Sequence, residues 1–342
     1  MSTATSQPRS ASTPARSSQP GTQPDAQHGT KPGAQPSTQP GAKPGNKESA
    51  ARARSRWASP ALVWGTIIVS FFVLLALLAP VFTLITGNDP YQEHRELLGP
   101  SSVPTGFGGG ISAQHWFGVT PLRGVDVFSI VSYGAQVSLG IGLASTVIST
   151  ILGLAIGLLA GYFPGVVDAL LSRTMDVFFG FPFLIFAIAL SAVVPSSFPR
   201  PLLLILVLGF FGWPGTARLM RAQTLTLRER DYTTAALVMG ASPWHILRYE
   251  ILPGLLPLLI VRTTLAIPGR IGSEAALSFL GVGINPPTPS WGRAISDAVN
   301  WALVDPMYLI FPGMALFLVT FGFNLLGDGL SDALDPRKGE KA

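Results

Sequence analysis

The 342-residue sequence contains no cysteine and little charge. Without cysteine the chain has no disulfide bond, thiolate metal site, iron–sulfur cluster or cysteine nucleophile. Charged residues make up 12% of the chain and hydrophobic residues 48%, whereas a soluble domain typically carries about 25% charged residues. This imbalance argues against a soluble enzyme and predicts an all-α membrane protein with several transmembrane helices.

The sequence also lacks the motifs of a metal enzyme and of an ATPase. Its four histidines are scattered over the chain and lack the spacing of metal ligands. A Walker A motif needs a Gly-Lys dipeptide, and the sequence has none. Neither His nor Lys falls in an apolar run, which argues against an intramembrane serine protease. We therefore expect a non-catalytic chain that holds no cofactor or metal of its own.

Residues 1–56 differ in composition from the rest of the chain. They are rich in Pro, Gly, Ser, Thr and Gln and contain almost no aliphatic side chains. A segment of this kind has little apolar surface to bury, so it is predicted to be a disordered, low-complexity tail. The membrane domain is predicted over 57–337, and 338–342 forms a short C-terminal tail.

Six apolar runs within this domain are each close to the ~20 residues that a helix needs to cross a bilayer. Gly and Pro inside the runs do not argue against helices, because membrane helices tolerate both. Long loops are predicted outside at 85–136 and inside at 218–253. The predicted spans are 61–84, 137–161, 177–194, 201–220, 255–280 and 307–326.

The positive charges predict the orientation of the six spans. If the N-terminal tail is cytoplasmic, 17 of the 23 Lys and Arg residues lie in inside segments and four in outside segments. This bias follows the positive-inside rule, so both termini are predicted to be cytoplasmic. The basic pI of about 9.7 then reflects membrane topology, and we expect no nucleic-acid partner.

The inside loop at 218–253 is predicted to form a helix–turn–helix elbow. Asp231 is expected to cap a first short helix, and Gly240 to end it in the left-handed conformation. Ser242 is expected to cap a second helix. The chain would then return to the membrane at Pro253.

Five groups of residues resemble one known family. Ala235-Ala236 followed by Gly240 and by Leu252-Pro253 resembles the "EAA" loop of binding-protein-dependent ABC importer permeases, with Thr234 where that loop carries glutamate. Four further runs are similar to the C-type permease of the dipeptide/oligopeptide/nickel branch. They lie at 273–281, 286–292, 323–330 and 332–337.

The resemblance covers about residues 60–337 and implies a type I ABC importer permease in the plasma (inner) membrane. Such a permease forms half of a translocation pathway, here for di- or oligopeptides. The implied partners are a homologous second permease, two ATPase subunits that bind ATP and Mg, and an extracytoplasmic substrate-binding protein. The loop at 230–253 would couple to the ATPase. Its contact residues would be Arg230, Asp231, Ala235, Ala236, Gly240, Arg248 and Pro253.

Three ionisable residues fall inside the fifth predicted span, where charge is costly and commonly functional. In one interpretation Arg270 and Glu274 line the translocation pathway. In the other, these two residues pair across one helical turn, while Arg262 extends to the inner surface.

One alternative function stays open at this stage. A stand-alone, ion-coupled secondary transporter or channel would also be a multispan apolar chain. Such a protein is expected to show inverted repeats and carboxylates near the bilayer midplane, and the sequence shows no convincing repeat. The segment 115–126 departs from the related permeases, which typically carry His-x-x-Gly-Thr-Asp and then Gly-Arg-Asp there.

Overall fold

The computed structural model describes residues 59–195 and 197–334. The predicted tails at 1–56 and 338–342 lie outside this part, as does the end of the run at 332–337. The described residues form ten helices and a short 3-10 helix at Arg95–Leu97, and they contain no β-strand, which confirms the all-α prediction. The helices are α1 Pro60–Thr86, α2 Val127–Tyr162, α3 Val166–Gly180, α4 Phe183–Val193, α5 Arg200–Phe211, α6 Trp213–Arg228, α7 Asp231–Val238, α8 Pro243–Phe279, α9 Trp291–Val299 and α10 Pro306–Leu334.

Five helical stretches are long and apolar enough to cross a membrane: α1, α2, α5 together with α6, α8, and α10. Helices α3 and α4 give a sixth if they count as one crossing, but they are bent by 79°. The prediction of a continuous span over 177–194 is therefore wrong. Phe181 takes an extended conformation at the break, because the ring of Pro182 disfavours a helical residue before it.

The helices extend well beyond the apolar runs, so the predicted inside loop is shorter than 218–253. Helix α6 continues to Arg228, and α8 begins at Pro243. Pro253 therefore lies within α8, where the helix capped by Ser242 runs directly into the predicted span at 255–280. A π-helical turn at Ile246–Ile251 precedes it, in which the Leu252 amide donates to the Leu247 carbonyl. Such a turn accommodates a proline that has no N–H to donate.

The packing of α2 against α6 depends on three glycines spaced four residues apart, Gly153, Gly157 and Gly161. Each faces α6 so closely that a Cβ atom would overlap it; at Gly157 the Cβ would lie 2.6 Å from the Ala217 carbonyl oxygen. Small residues at this spacing let two membrane helices approach at backbone distance. The bundle is thus built around a glycine-lined contact that the sequence analysis did not identify.

The bundle has two ends, which we call the elbow end and the loop end. The elbow end carries α7 and the start of α1, where Gly329 of α10 packs on Leu62. The loop end carries residues 87–126 and α9. Helix α3 starts at the elbow end, because its Asp168 binds Arg221 of α6. Helix α4 reaches the loop end, where Ser191 donates to the Val282 carbonyl at 2.8 Å.

The loop end is ordered by a buried polar cluster around the start of α2. Asp126 caps α2 by accepting from the Ser129 amide at 2.8 Å, and its other oxygen lies 3.0 Å from Nδ1 of His115. These contacts show how the altered segment at 115–126 closes onto α2. At the surface, Glu93 binds both Arg95 and Arg123, and hydrogen bonds from Arg123 and Arg95 lower the pKa of Glu93.

Candidate functional site

The elbow comprises α7 and the two turns that join it to α6 and α8. Helix α7 begins at Asp231, with Arg230 at the capping position and no side chain capping the amides. The prediction that Asp231 caps this helix is therefore wrong, since Asp231 is its first residue. The turn between α6 and α7 is stabilised by Thr233, which is buried and whose hydroxyl donates to the Leu227 carbonyl at 2.9 Å.

The C-terminal end of α7 confirms the predicted turn. Gly240 has a φ of +85°, which only glycine adopts without strain. Its amide donates to the Leu237 carbonyl, and the Ala241 amide donates to the Ala236 carbonyl, both at 3.0 Å. This pair of bonds is a Schellman motif. Ser242 then caps α8 by accepting from the His245 amide at 3.3 Å, as predicted.

The two alanines of the loop face opposite directions. Ala235 is exposed, whereas Ala236 is 7% exposed and packs in a core cluster with Tyr162, Met220 and Ile246. Ala236 therefore lies outside the exposed surface of the elbow, and its small side chain lets α7 lie against the body of its own chain. Its role in an ATPase contact stays a prediction. Ala235 and Gly240 remain accessible.

An apolar surface that the sequence analysis did not identify covers the outer side of the elbow. Four large side chains point outward there, although isolated exposed apolar residues rather than clusters are the norm on soluble surfaces. We call this surface the elbow patch. It consists of Leu237, Val238, Met239 and Trp244, which are 59%, 82%, 82% and 68% exposed.

Exposed charged side chains precede and follow the elbow patch along the chain. Arg230, Asp231 and Arg248 are all exposed, and the Arg248 guanidinium lies 5.7 Å from the Tyr249 ring. A cleft of about 490 Å³ separates α7 from the turn at 162–164. The elbow thus presents an apolar centre, a charged rim and an adjacent cleft, which is the composition of a protein–protein contact.

Arg270 and Glu274 do not pair, although they lie one turn apart on α8. Arg270 Nη2 donates to the Gly212 carbonyl at 3.0 Å, at the junction of α5 and α6. Glu274, one turn further along α8, accepts from Ser138 of α2 at 2.9 Å and from Ser278 at 2.8 Å. The pairing interpretation is therefore wrong, because each side chain finds a better partner outside the predicted pair.

Glu274 joins three helices in the interior of the chain. It has no exposed surface. Ser138, which donates to Glu274, also accepts from the Trp291 amide at the start of α9, at 3.3 Å. The Trp291 indole in turn donates to the Val131 carbonyl of α2 at 2.9 Å. This network fixes α9 and the loop end against α2 and α8, and it places Glu274 in helix packing in this conformation.

Comparison with known proteins identifies the family. Residues 153–340, more than half of the chain, match the model of the binding-protein-dependent transport system inner membrane component. The chain belongs to this family. It is accordingly a multi-pass inner-membrane permease subunit of an ABC importer, a membrane component rather than a catalytic subunit.

Individual relatives fall in the branch that the motifs indicated. The chain is 45% identical over 228 residues to the glutathione transport system permease protein GsiD of Escherichia coli O157:H7, covering 67% of this chain and 74% of the relative. The same values hold for GsiD of Shigella boydii serotype 4 (strain Sb227). A chain of the inward-facing MetNI methionine ABC transporter is 21% identical with a TM-score of 0.49, covering 60% of this chain and 96% of that one.

Proposed function

We propose that this chain is the permease subunit of an ATP-driven importer of small peptides or peptide-like solutes, and that the elbow docks onto a partner ATPase. The observation that carries the docking proposal is the elbow patch. Val238 and Met239 are each 82% exposed at the tip of a rigid turn. Apolar surface displayed in this way is stabilised when a partner covers it.

The rigidity of the elbow supports a mechanical role. The Schellman motif fixes α7 at its C-terminal end, and Ala236 fixes it to the core. A push on α7 is therefore transmitted to α8, because Ile246 and Leu247 of α8 pack in the same core cluster. Closure of an ATPase dimer would move α8 as a rigid body and alternate access between the two sides of the membrane.

The family and the charge distribution support the remaining assembly. The complete importer would contain a homologous second permease, two ATPase subunits that bind ATP and Mg, and an extracytoplasmic binding protein. The elbow end and both termini would be cytoplasmic. A peptide-type cargo is supported by the 45% identity to a permease named for glutathione transport. This chain would hold no cofactor of its own.

A pair of glutamate substitutions on α7 tests the docking proposal. Ala235→Glu places a charge on the exposed side of α7 and should abolish stimulation of ATP hydrolysis by the cargo-loaded binding protein. Thr234→Glu is the matched control, because it adds the same charge one residue away, where the related loop carries glutamate. It should leave the stimulation intact.

The measurement uses the complete importer in lipid vesicles and compares ATP hydrolysis with and without the loaded binding protein. Normal stimulation with Ala235→Glu would refute the docking proposal. Uptake of cargo by the wild-type chain without ATP would instead support the stand-alone secondary transporter or channel.

A further inference from the structure

Two arginines of α8 bring their charges to the same place on α6. Arg262 and Arg270 are eight residues apart, which corresponds to about 12 Å along a helix. Their guanidinium groups nevertheless lie beside two glycines that are only three residues apart at the start of α6. A Cβ atom on Gly215 would lie 3.3 Å from Arg262 Nη2, and one on Gly212 would overlap the Arg270 guanidinium.

Neither arginine has an acidic partner in the part of the chain that the structure describes. The ion pairs found there involve other residues, and those of the neighbouring helices are Arg218 with Asp176 and Arg221 with Asp168. Arg270 has a single carbonyl partner, and its Nε is buried without an acceptor. Two unneutralised cations within a membrane helix are costly, so an anion that joins them would be strongly stabilised.

The two guanidinium groups border backbone and one aromatic ring. Gly212 and Gly215 have no side chains, so the guanidinium groups are bounded there by backbone. The exposed ring of Phe179 borders the same place, with its Cζ 4.0 Å from a Cβ atom on Gly215. Both arginines are partly exposed. The face therefore combines the two arginines with backbone and with an aromatic ring, whose centroid lies 4.3 Å from the Arg218 guanidinium.

We propose that Arg262 and Arg270 form a cargo-binding site within the membrane that selects solutes carrying two acidic groups. This inference rests on the proposed function, because the site has a role only if cargo passes along this face of α8. A carboxylate matches the planar guanidinium with two parallel hydrogen bonds. Two neighbouring guanidinium groups without an acidic partner therefore favour a dicarboxylate over a solute with one acidic group.

The test compares two probes of nearly equal size in the complete importer reconstituted in vesicles. Reduced glutathione carries two carboxylates, and glutathione amidated on its glycine carries one. Arg262→Gln and Arg270→Gln should each lower uptake of glutathione about tenfold or more, the amount expected for one hydrogen-bonded charge pair. Uptake of the amide should change much less. Arg270→Lys keeps the charge but not the planar guanidinium group. Its glutathione uptake should therefore lie between that of the wild type and that of Arg270→Gln.

Two controls distinguish an effect on this site from a general effect on the importer. Arg173→Gln removes an exposed arginine of α3 and should leave uptake of both probes unchanged. Stimulation of ATP hydrolysis by the loaded binding protein should persist in every variant, because the substitutions are remote from the elbow. Wild-type vesicles without ATP-dependent uptake of either probe would overturn the proposed function, and this inference with it.

Three results would overturn the inference while the proposed function stands. Unchanged glutathione uptake in Arg262→Gln and Arg270→Gln would show that the cations do not meet the cargo. An equal loss for both probes would show that they act on the helices rather than on the second carboxylate. Failure of both glutamine variants to assemble with the second permease would indicate that the counter-ion is a carboxylate of that subunit.

Discussion

The glycine-lined contact between α2 and α6 makes a quantitative prediction. A Cβ atom at Gly157 would lie 2.6 Å from both the Ala217 carbonyl oxygen and the Met220 Cβ. Backbone cannot move aside as a flexible side chain can, so Gly157→Ala must push the helices apart. We expect it to lower the free energy of unfolding by about 1–3 kcal/mol, as for an overpacked core.

Gly140 is the matched control on the same helix. A Cβ atom there would find no neighbour within 4 Å. Gly140→Ala should therefore leave the free energy of unfolding unchanged or raise it by up to ~1 kcal/mol, because alanine favours the helix. The two variants make the same chemical change in the same helix, so their difference isolates the helix–helix contact.

The assay is reversible unfolding of the purified chain in mixed micelles with increasing SDS, followed by far-ultraviolet circular dichroism. The unfolding midpoint of Gly157→Ala should fall at a lower SDS fraction than that of Gly140→Ala. Equal midpoints would refute the reasoning, since the observed spacing of α2 and α6 leaves no room for the added methyl group.

The remaining stability predictions concern the Glu274 network. Glu274→Gln keeps an oxygen that can accept from Ser138 or Ser278, so its unfolding midpoint should stay close to that of the wild type. Glu274→Leu leaves both buried hydroxyl groups without their acceptor, at about 1–3 kcal/mol for each unsatisfied group. The same SDS titration measures both variants, and a Glu274→Leu midpoint equal to that of Glu274→Gln would contradict the assigned hydrogen bonds.

Features set by local sequence could be predicted correctly. The turn at Gly240 follows from the conformational freedom of glycine, and the cap at Ser242 from a hydroxyl followed by proline. Both involve residues within five positions of one another. The membrane class follows from composition. The apolar runs located most of the spans because lipid imposes continuous hydrophobicity on any helix that crosses it.

Features set by distant contacts could not be predicted in the same way. The spacing of Arg270 and Glu274 allows a pair, but the choice depends on Ser138, which comes from 136 positions away in the chain. Ala235 and Ala236 are the same residue type at adjacent positions, so the sequence does not indicate which one is buried. In the folded chain Ala236 faces the core cluster. Pro182 is a local signal for the bend between α3 and α4. Proline alone does not predict a bend there, because transmembrane helices often tolerate it.

The glycines of α2 carry a sequence signal for close helix packing that the sequence analysis did not use. Gly153, Gly157 and Gly161 form a four-residue repeat in the printed sequence, and such a repeat predicts a close helix contact. The partner helix could not be named from it. Likewise Leu237, Val238 and Met239 form a short apolar run, whose exposure depends on how α7 turns about its axis.

Site-directed cross-linking tests whether the elbow contacts an ATPase subunit. The chain has no cysteine, so Met239→Cys adds a single thiol at the elbow patch and Leu303→Cys adds one at the loop end, where Leu303 is fully exposed. Each variant is assembled with its partners, treated with a short thiol-to-amine cross-linker, and its products are identified by mass spectrometry. We expect a permease–ATPase product from Met239→Cys and none from Leu303→Cys. A permease–ATPase product from Leu303→Cys, or its absence from Met239→Cys in an assembled complex, would contradict docking of the elbow onto the ATPase.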